Sequence, residues 1–210
     1  KSKVMTSISA LENVHSKGLF GNHEGKNKKD LIKIVEKKKL IIVQIVQYKN
    51  SFSKPVNFDG LSFNNETLNV SSNNETRVLW TAPKSWILTS TKTNIEPELL
   101  VCEIKKNLLK DINKSFNNSD YAITDLSHSK AIIELEGKQV KEVLKKGSPF
   151  NFNELKKNNS LNTVFNGMAI TIDMINDDPD KIRIFTLRSF GESLYQSITD
   201  ACLEFGYKNI

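Results

Sequence analysis

This chain has very little arginine. Of its 30 basic residues only Arg77, Arg183 and Arg188 are arginines, the rest being lysines, and aromatics make up 8% of the sequence. Nucleic-acid readers rely on arginine forks and stacking aromatics, so the net charge of +6 does not point to an RNA- or DNA-binding module. The lysines come in short clusters (Lys26 with Lys28 and Lys29, Lys37 to Lys39, Lys105 with Lys106, Lys145 with Lys146) among 24 acids. They read as solvated turns and helix faces, the alternative being an electrostatic docking surface for a more acidic protein.

Cysteine is also scarce. Cys102 and Cys202 sit in separate apolar helical patterns, without the CxxC spacing of a zinc or redox site. Both are expected to be small buried hydrophobes of a reducing compartment. The longest apolar run, Leu40 to Val46, is interrupted by Gln44 and is far too short for a bilayer. No signal-peptide h-region is written, so the reading is cytoplasmic. There are three histidines, His15, His23 and His128, and no HExxH, P-loop, GxGxxG or metal cluster. Asp177-Asp178-Pro179-Asp180 lacks EF-hand spacing and reads as a turn.

What is present is a globular composition in 210 residues, enough to bury roughly 70% of the unfolded surface without metal or disulfide. The clearest stretch is the last thirty residues. Lys181 to Leu187 is a β-branched and aromatic strand. Ser189 precedes Glu192 by the spacing of a capping box. Leu194, Ile198, Ala201, Cys202 and Phe205 then mark one helical face, with Gly206 as a left-handed stop.

Upstream, residues 1–30 carry few apolar side chains (Leu11, Val14, Leu19, Phe20) and read as a loose tail, or as an extended arm laid on another protein with Leu19 and Phe20 inserted between Gly18 and Gly21. Leu31 to Glu36 and Leu40 to Tyr48 are strand-like around Lys37-Lys38-Lys39. Residues 50–76 read as irregular. Arg77 to Ser90 is a pair of strands about Ala82-Pro83-Lys84-Ser85, each carrying a tryptophan, Trp80 and Trp86. These read as core or interface anchors, or else as a base-stacking platform. Pro97 opens a helix whose stripe is Leu100, Ile104, Leu108 and Ile112. It ends at Asn117-Asn118-Ser119, a boundary.

The second half runs strand (Tyr121 to Leu126), turn (Ser127-His128-Ser129), strand (Lys130 to Glu136), helix (Lys138 to Lys146, with Gly147 as stop), a hairpin about Asn166-Gly167, and the closing strand and helix. The expected fold is α+β: two small sub-domains, residues 31–118 and 119–210, each a mixed or antiparallel sheet with helices on one side, plus the N-terminal arm at 1–30. Asp125 and His128 form the candidate acid–base pair, against an Asx- or Ser-type turn that satisfies local backbone.

Asp125-Leu-Ser-His128, Gly137 before a helix, Lys146-Gly-Ser-Pro149 and Leu187-Arg-Ser-Phe190 with Leu194-Tyr195, together with Ile8-Ser-Ala-Leu11, Gly18 to Gly21, and Leu79-Trp80 through Ala82-Pro83 to Trp86-Ile-Leu88, resemble the gamma-subunit family of heterotetrameric sarcosine oxidase. The resemblance implies a structural subunit, with no catalytic, cofactor or metal residues of its own, in a complex that oxidatively demethylates sarcosine to glycine. FAD, FMN, NAD and tetrahydrofolate are expected on the larger partner subunits, the carbon unit leaving as formaldehyde or passing to tetrahydrofolate. It also implies kinship with the folate-binding domain of aminomethyltransferases, the alternative being a stand-alone folate-binding or aminomethyl-transfer protein. Structural or interface roles fall to Leu19, Phe20, Trp80, Trp86, Asp125, Ser127, His128, Arg188, Ser189 and Phe190. Arg188 is expected to pair with a carboxylate of this subunit or of the large partner.

Overall fold

A computed structural model describes residues 8–51, 56–93 and 98–210, the side chains of 98–100 excepted. The strands are β1 (Gly18–Phe20), β2 (Ile32–Glu36), β3 (Ile41–Gln47), β4 (Asn57–Phe58), β5 (Leu61–Ser62), β6 (Val70–Ser72), β7 (Thr76–Ala82), β8 (Ser85–Ser90), β9 (Tyr121–Asp125), β10 (Lys130–Glu136), β11 (Ser160–Phe165), β12 (Met168–Asp177), β13 (Asp180–Leu187) and β14 (Tyr207–Asn209). The helices are α1 (Glu98–Ser115), α2 (Val140–Lys145) and α3 (Gly191–Cys202). The fold is α+β, as expected.

Two large sheets carry it. One has seven strands in the order β1-β14-β2-β10-β13-β12-β11, antiparallel except for β14 beside β2. The other has five, β6-β7-β8-β3-β9, all antiparallel. Alternation along the strands decides the layering. Ile41, Val43 and Ile45 of β3 join Val78, Trp86 and Leu88 beneath Leu108, Ile112 and Phe116 of α1 and its exit. The intervening Ile42 faces the other way, with Leu79 and Ile87, and meets Ile132 and Phe185 of the seven-stranded sheet. That sheet presents Ile133, Leu135, Ile172, Ile182 and Ile184 to α2 and α3. The layers therefore run α1, five-stranded sheet, seven-stranded sheet, then α2 with α3. Strands covered on both faces read as near-continuous apolar runs, as the 40–46 segment does apart from Gln44.

Sheet membership does not follow the 118/119 division. β9 adds to β3 in the five-stranded sheet, and β2 joins β10 in the seven-stranded one. The short Lys37–Lys39 segment thus passes from one sheet to the other and forms no hairpin.

From residue 8 onward the N-terminal segment is no free arm. Leu11 is fully buried in the α2–α3 core, and β1 pairs with β14 as the sheet edge. Phe20 stacks on Tyr207 with centroids 5.3 Å apart. Gly21 explains the closeness: a Cβ there would stand 2.8 Å from Leu203 Cα. The partner that Leu19 and Phe20 were expected to meet is, for these residues, the chain's own C-terminal strand.

Local expectations fare unevenly. The Asn166-Gly167 turn forms with both residues at positive φ, and β4–β5 make a small hairpin within 50–76. The capping box does not form. Ser189 lies inside a 3-10 turn, Arg188–Phe190, with Phe190 as the cap of α3, while Glu192 accepts from Asn13 Nδ2 at 3.2 Å. Gly147 is not left-handed. Its lack of a Cβ admits the Phe165 ring, which a methyl would meet at 2.7 Å. Pro97 lies outside the described residues. Cys202 is buried as expected, but Cys102 is exposed.

Candidate functional site

The Asp125-Leu-Ser-His128 turn joins β9 to β10 and is held by side chains that bridge the layers. Asp125 Oδ1 accepts from the Ser127 amide at 3.0 Å and from its hydroxyl at 2.6 Å. The β3 backbone completes the arrangement, with the Ile42 amide donating to Ser127 Oγ at 3.0 Å. Asp125 Oδ2 takes the Lys105 ammonium of α1 at 2.7 Å. Burial alone would raise the Asp125 carboxyl; the Lys105 and Ser127 hydrogen bonds outweigh it and hold it below its ordinary value. An aspartate so engaged is a poor general base. The turn geometry is that of an Asx turn, and His128 is exposed beside it.

Above this turn opens a cavity of about 330 Å³. Ser127, His128 and Lys130 form one wall, Cys102 and Lys105 of α1 another, and Lys37, Lys38 and Lys39 a third. The N-terminal Ile8 and Ser9, with Arg188, close the remaining side. Glu36 at the rim is engaged, since Ser9 Oγ donates to it at 2.6 Å and Lys38 lies 3.8 Å from it. Arg188 is exposed and donates Nη2 to the Ile8 carbonyl. Among the described residues it meets no carboxylate. The carbonyl of the N-terminal segment occupies that position instead.

The structure gathers Ser127, His128 and Arg188 at one cavity, with Asp125 immediately behind it. It sets the other sequence candidates apart. Trp86 is buried in the α1-side core with its indole N–H donating to the Asn64 carbonyl at 2.8 Å, and Trp80, its cross-strand partner, packs against the same cluster. Trp86 is thus a core residue and no interface anchor. Ser189 and Phe190 are exposed on the 3-10 turn, and Leu19 and Phe20 lie on β1. Lys39, Lys105 and Lys130 were missed as site residues. The lysine clustering at 37–39 and 105–106 was visible, but its convergence depends on sheet pairings made far along the chain.

Among the described residues no group of three or more His, Cys, Asp or Glu side chains could hold a metal ion, and no helix is long and apolar enough to cross a membrane. The carboxylate following the Asn166-Gly167 hairpin, Asp173, is fully buried and bound by Arg77.

No protein-family pattern and no curated protein matches this chain. Solved structures do. The heterotetrameric sarcosine oxidase from Corynebacterium sp. U-96, in complex with pyrrole 2-carboxylate, contains a chain that superposes with a TM-score of 0.72 at 17% identity, covering 95% of this chain and 96% of that one. The glycine cleavage system aminomethyltransferase T from Bartonella henselae superposes with a TM-score of 0.57 at 12% identity, over 81% of this chain and 46% of that one. At these identities the likeness is one of fold: this chain has the architecture of a chain of the sarcosine oxidase heterotetramer.

Proposed function

We propose that this chain is a non-catalytic structural subunit of a sarcosine oxidase-type complex, which oxidatively demethylates sarcosine to glycine on its larger subunits and releases the carbon unit as formaldehyde or passes it to tetrahydrofolate. The observation that carries the reading is the end-to-end fold likeness to a chain of such a heterotetramer, 95% of one and 96% of the other. The likeness runs over nearly the whole of both chains and is not confined to one part of the fold. The state of the carboxylates supports it. Moving a one-carbon unit needs a positioned acid or base; Asp125 is held by Lys105 and Ser127, and Asp173 by Arg77. Flavins, NAD and folate belong, in this reading, to the partners.

The test is to tag the chain in its native host and purify it. Co-elution of larger subunits, with a flavin spectrum and sarcosine-dependent turnover, is the expected result. A purified chain that stays monomeric and fails to bind a flavin-bearing partner overturns it. The second reading, a stand-alone folate-binding protein, draws on the likeness to aminomethyltransferase T over 81% of this chain. Titration of tetrahydrofolate against the isolated chain decides it, and saturable binding lost in Asp125→Asn favours it over the first.

A further inference from the structure

The cavity above the β9–β10 turn concentrates positive charge beyond anything the assembly reading requires. Its wall carries six of the chain's basic residues (Lys37, Lys38, Lys39, Lys105, Lys130 and Arg188) and one acid, Glu36, in a chain whose whole net charge is +6. Some of these cations are compensated: Lys37 by Glu134 at 3.7 Å, Lys38 by Glu36 and Lys105 by Asp125. Lys39, Lys130 and Arg188 have no ion-pair partner among the described residues. One Nη of Arg188 is taken by the Ile8 carbonyl, which leaves most of its five donors unused.

Lys130 is half-buried, and burial pulls its ammonium below its usual value, as it does for a cation partly withdrawn from water with no counter-charge among the described residues. Like charges crowded at a concave, partly desolvated wall repel one another, and an anion entering between them relieves that repulsion. Between the cations the wall is apolar, with Ile8, Leu40, Val101 and Ile132. At about 330 Å³ the cavity lies near the lower end of small-ligand pockets, roughly 300–1,000 Å³.

We propose that this cavity is a binding site for a small organic anion, a carboxylate or phosphate ester with a compact apolar body, its charged group held by Lys39, Lys130 and Arg188. The site is independent of the assembly reading: it needs this chain alone and no flavin, NAD or folate.

Cys102 provides a reporter, because its exposed thiol lines the cavity while Cys202 is fully buried. The full chain is titrated with phenyl phosphate and with benzoate, two probes that share a ring and differ in the charged group. Binding is read by calorimetry and by the rate at which neutral N-ethylmaleimide labels Cys102. Saturable heat with one probe, matched by slowed labelling, is the expected result, and which probe succeeds identifies the head group. Lys130→Met and Arg188→Met each weaken binding about tenfold or more, whereas Lys208→Met, an exposed lysine of β14, does not. Thermal melts of the variants separate lost binding from lost folding.

Absence of saturable binding by both probes overturns the proposal. So does protection of Cys102 reproduced by sodium chloride at equal ionic strength, which would be general screening. Protection conferred only by association with a larger subunit overturns it as well, and would assign the cations to a partner's carboxylates.

Discussion

Arg77 grips Asp173 across the gap between the two sheets, Nε reaching one carboxylate oxygen and Nη2 the other, each at 2.7 Å. Arg77 belongs to β7 and Asp173 to β12. In the seven-stranded sheet Asp173 stands opposite Arg183, and Arg183 opposite Glu134, which it holds at 2.6 Å. A row of charge therefore runs through an otherwise apolar seam made by Ile42, Leu79, Ile87, Ile132 and Phe185. Two featureless apolar faces can slide on one another; a bidentate pair buried between them fixes one alignment.

This makes a first prediction. Arg77→Met leaves the Asp173 carboxylate, fully buried, without its partner, and costs about 3–5 kcal/mol in urea unfolding. Arg77→Met combined with Asp173→Leu removes both charges and costs less than Arg77→Met alone. A double variant as unstable as the sum of the two singles would mean that the pair carries no coupling.

The second prediction concerns the N-terminal segment. Gly21 and Gly25 both have positive φ, at 69° and 72°, but a Cβ at Gly25 meets nothing within 4 Å, whereas one at Gly21 collides with the Leu203 backbone. Gly25→Ala therefore carries only the left-handed strain, about 1 kcal/mol. Gly21→Ala adds displacement of β1 from β14 and costs about 2 kcal/mol or more. Urea unfolding gives the difference, and hydrogen exchange at Tyr207 to Asn209 should rise in Gly21→Ala alone.

Those elements that were legible in the sequence are set by neighbours along the chain. The Asn166-Gly167 hairpin, the β7–β8 pair and the strand–helix unit at the C-terminus all follow from local turn chemistry and periodicity. What was not legible depends on distant pairing. Nothing in Ile32 to Glu36 says that it will lie between β14 and β10, and nothing in Tyr121 to Asp125 says that it will cross into the other sheet. The site suffered likewise: Lys39, Lys105 and Lys130 line one cavity only because the β2–β3 connection, α1 and β10 are brought together. Ser189 and Glu192 show the converse, a good local signal overridden when Asn13 of the N-terminal segment claims the glutamate.

The third prediction is a pH dependence. Asp125 has a folded-state carboxyl held below its ordinary value of 3.8, because hydrogen bonds from Lys105 and Ser127 outweigh its burial. A group with a depressed folded value contributes stability that is present above the unfolded value and is lost as pH falls through the folded one. Melting temperature should thus drop as the solution is acidified below about 4, and Asp125→Asn should have a lower plateau near neutrality and a shallower acid limb. Parallel acid limbs in the two proteins would count against this role for the Lys105–Asp125–Ser127 link.

The fourth prediction is chemical. Burial pushes the Cys202 thiol up to about 12, so it presents almost no thiolate at neutral pH and is closed to reagents. Cys102 is exposed. Native protein treated with N-ethylmaleimide should take up one label, at Cys102, within the time that unfolded protein takes up two. Peptide mass mapping checks the position.

The last prediction addresses docking. Leu187 and Phe190 flank Arg188 and are 48% and 43% exposed, large apolar side chains in solvent on either side of a cation. The same turn leaves Ser189 exposed and sits beside Ile8, which is 69% exposed. If the chain is a subunit of a larger assembly, this is the apolar surface whose cover would contribute most, since desolvated apolar and arginine contacts dominate interface energetics. Replacing exposed side chains should leave stability within about 0.5 kcal/mol. The double variant Leu187→Ser with Phe190→Ser is therefore expected to melt like the parent and to bind the larger subunit about tenfold or more weakly. Unchanged affinity would move the docking face away from the β13–α3 turn, to be sought next around the exposed Tyr48 or Val164.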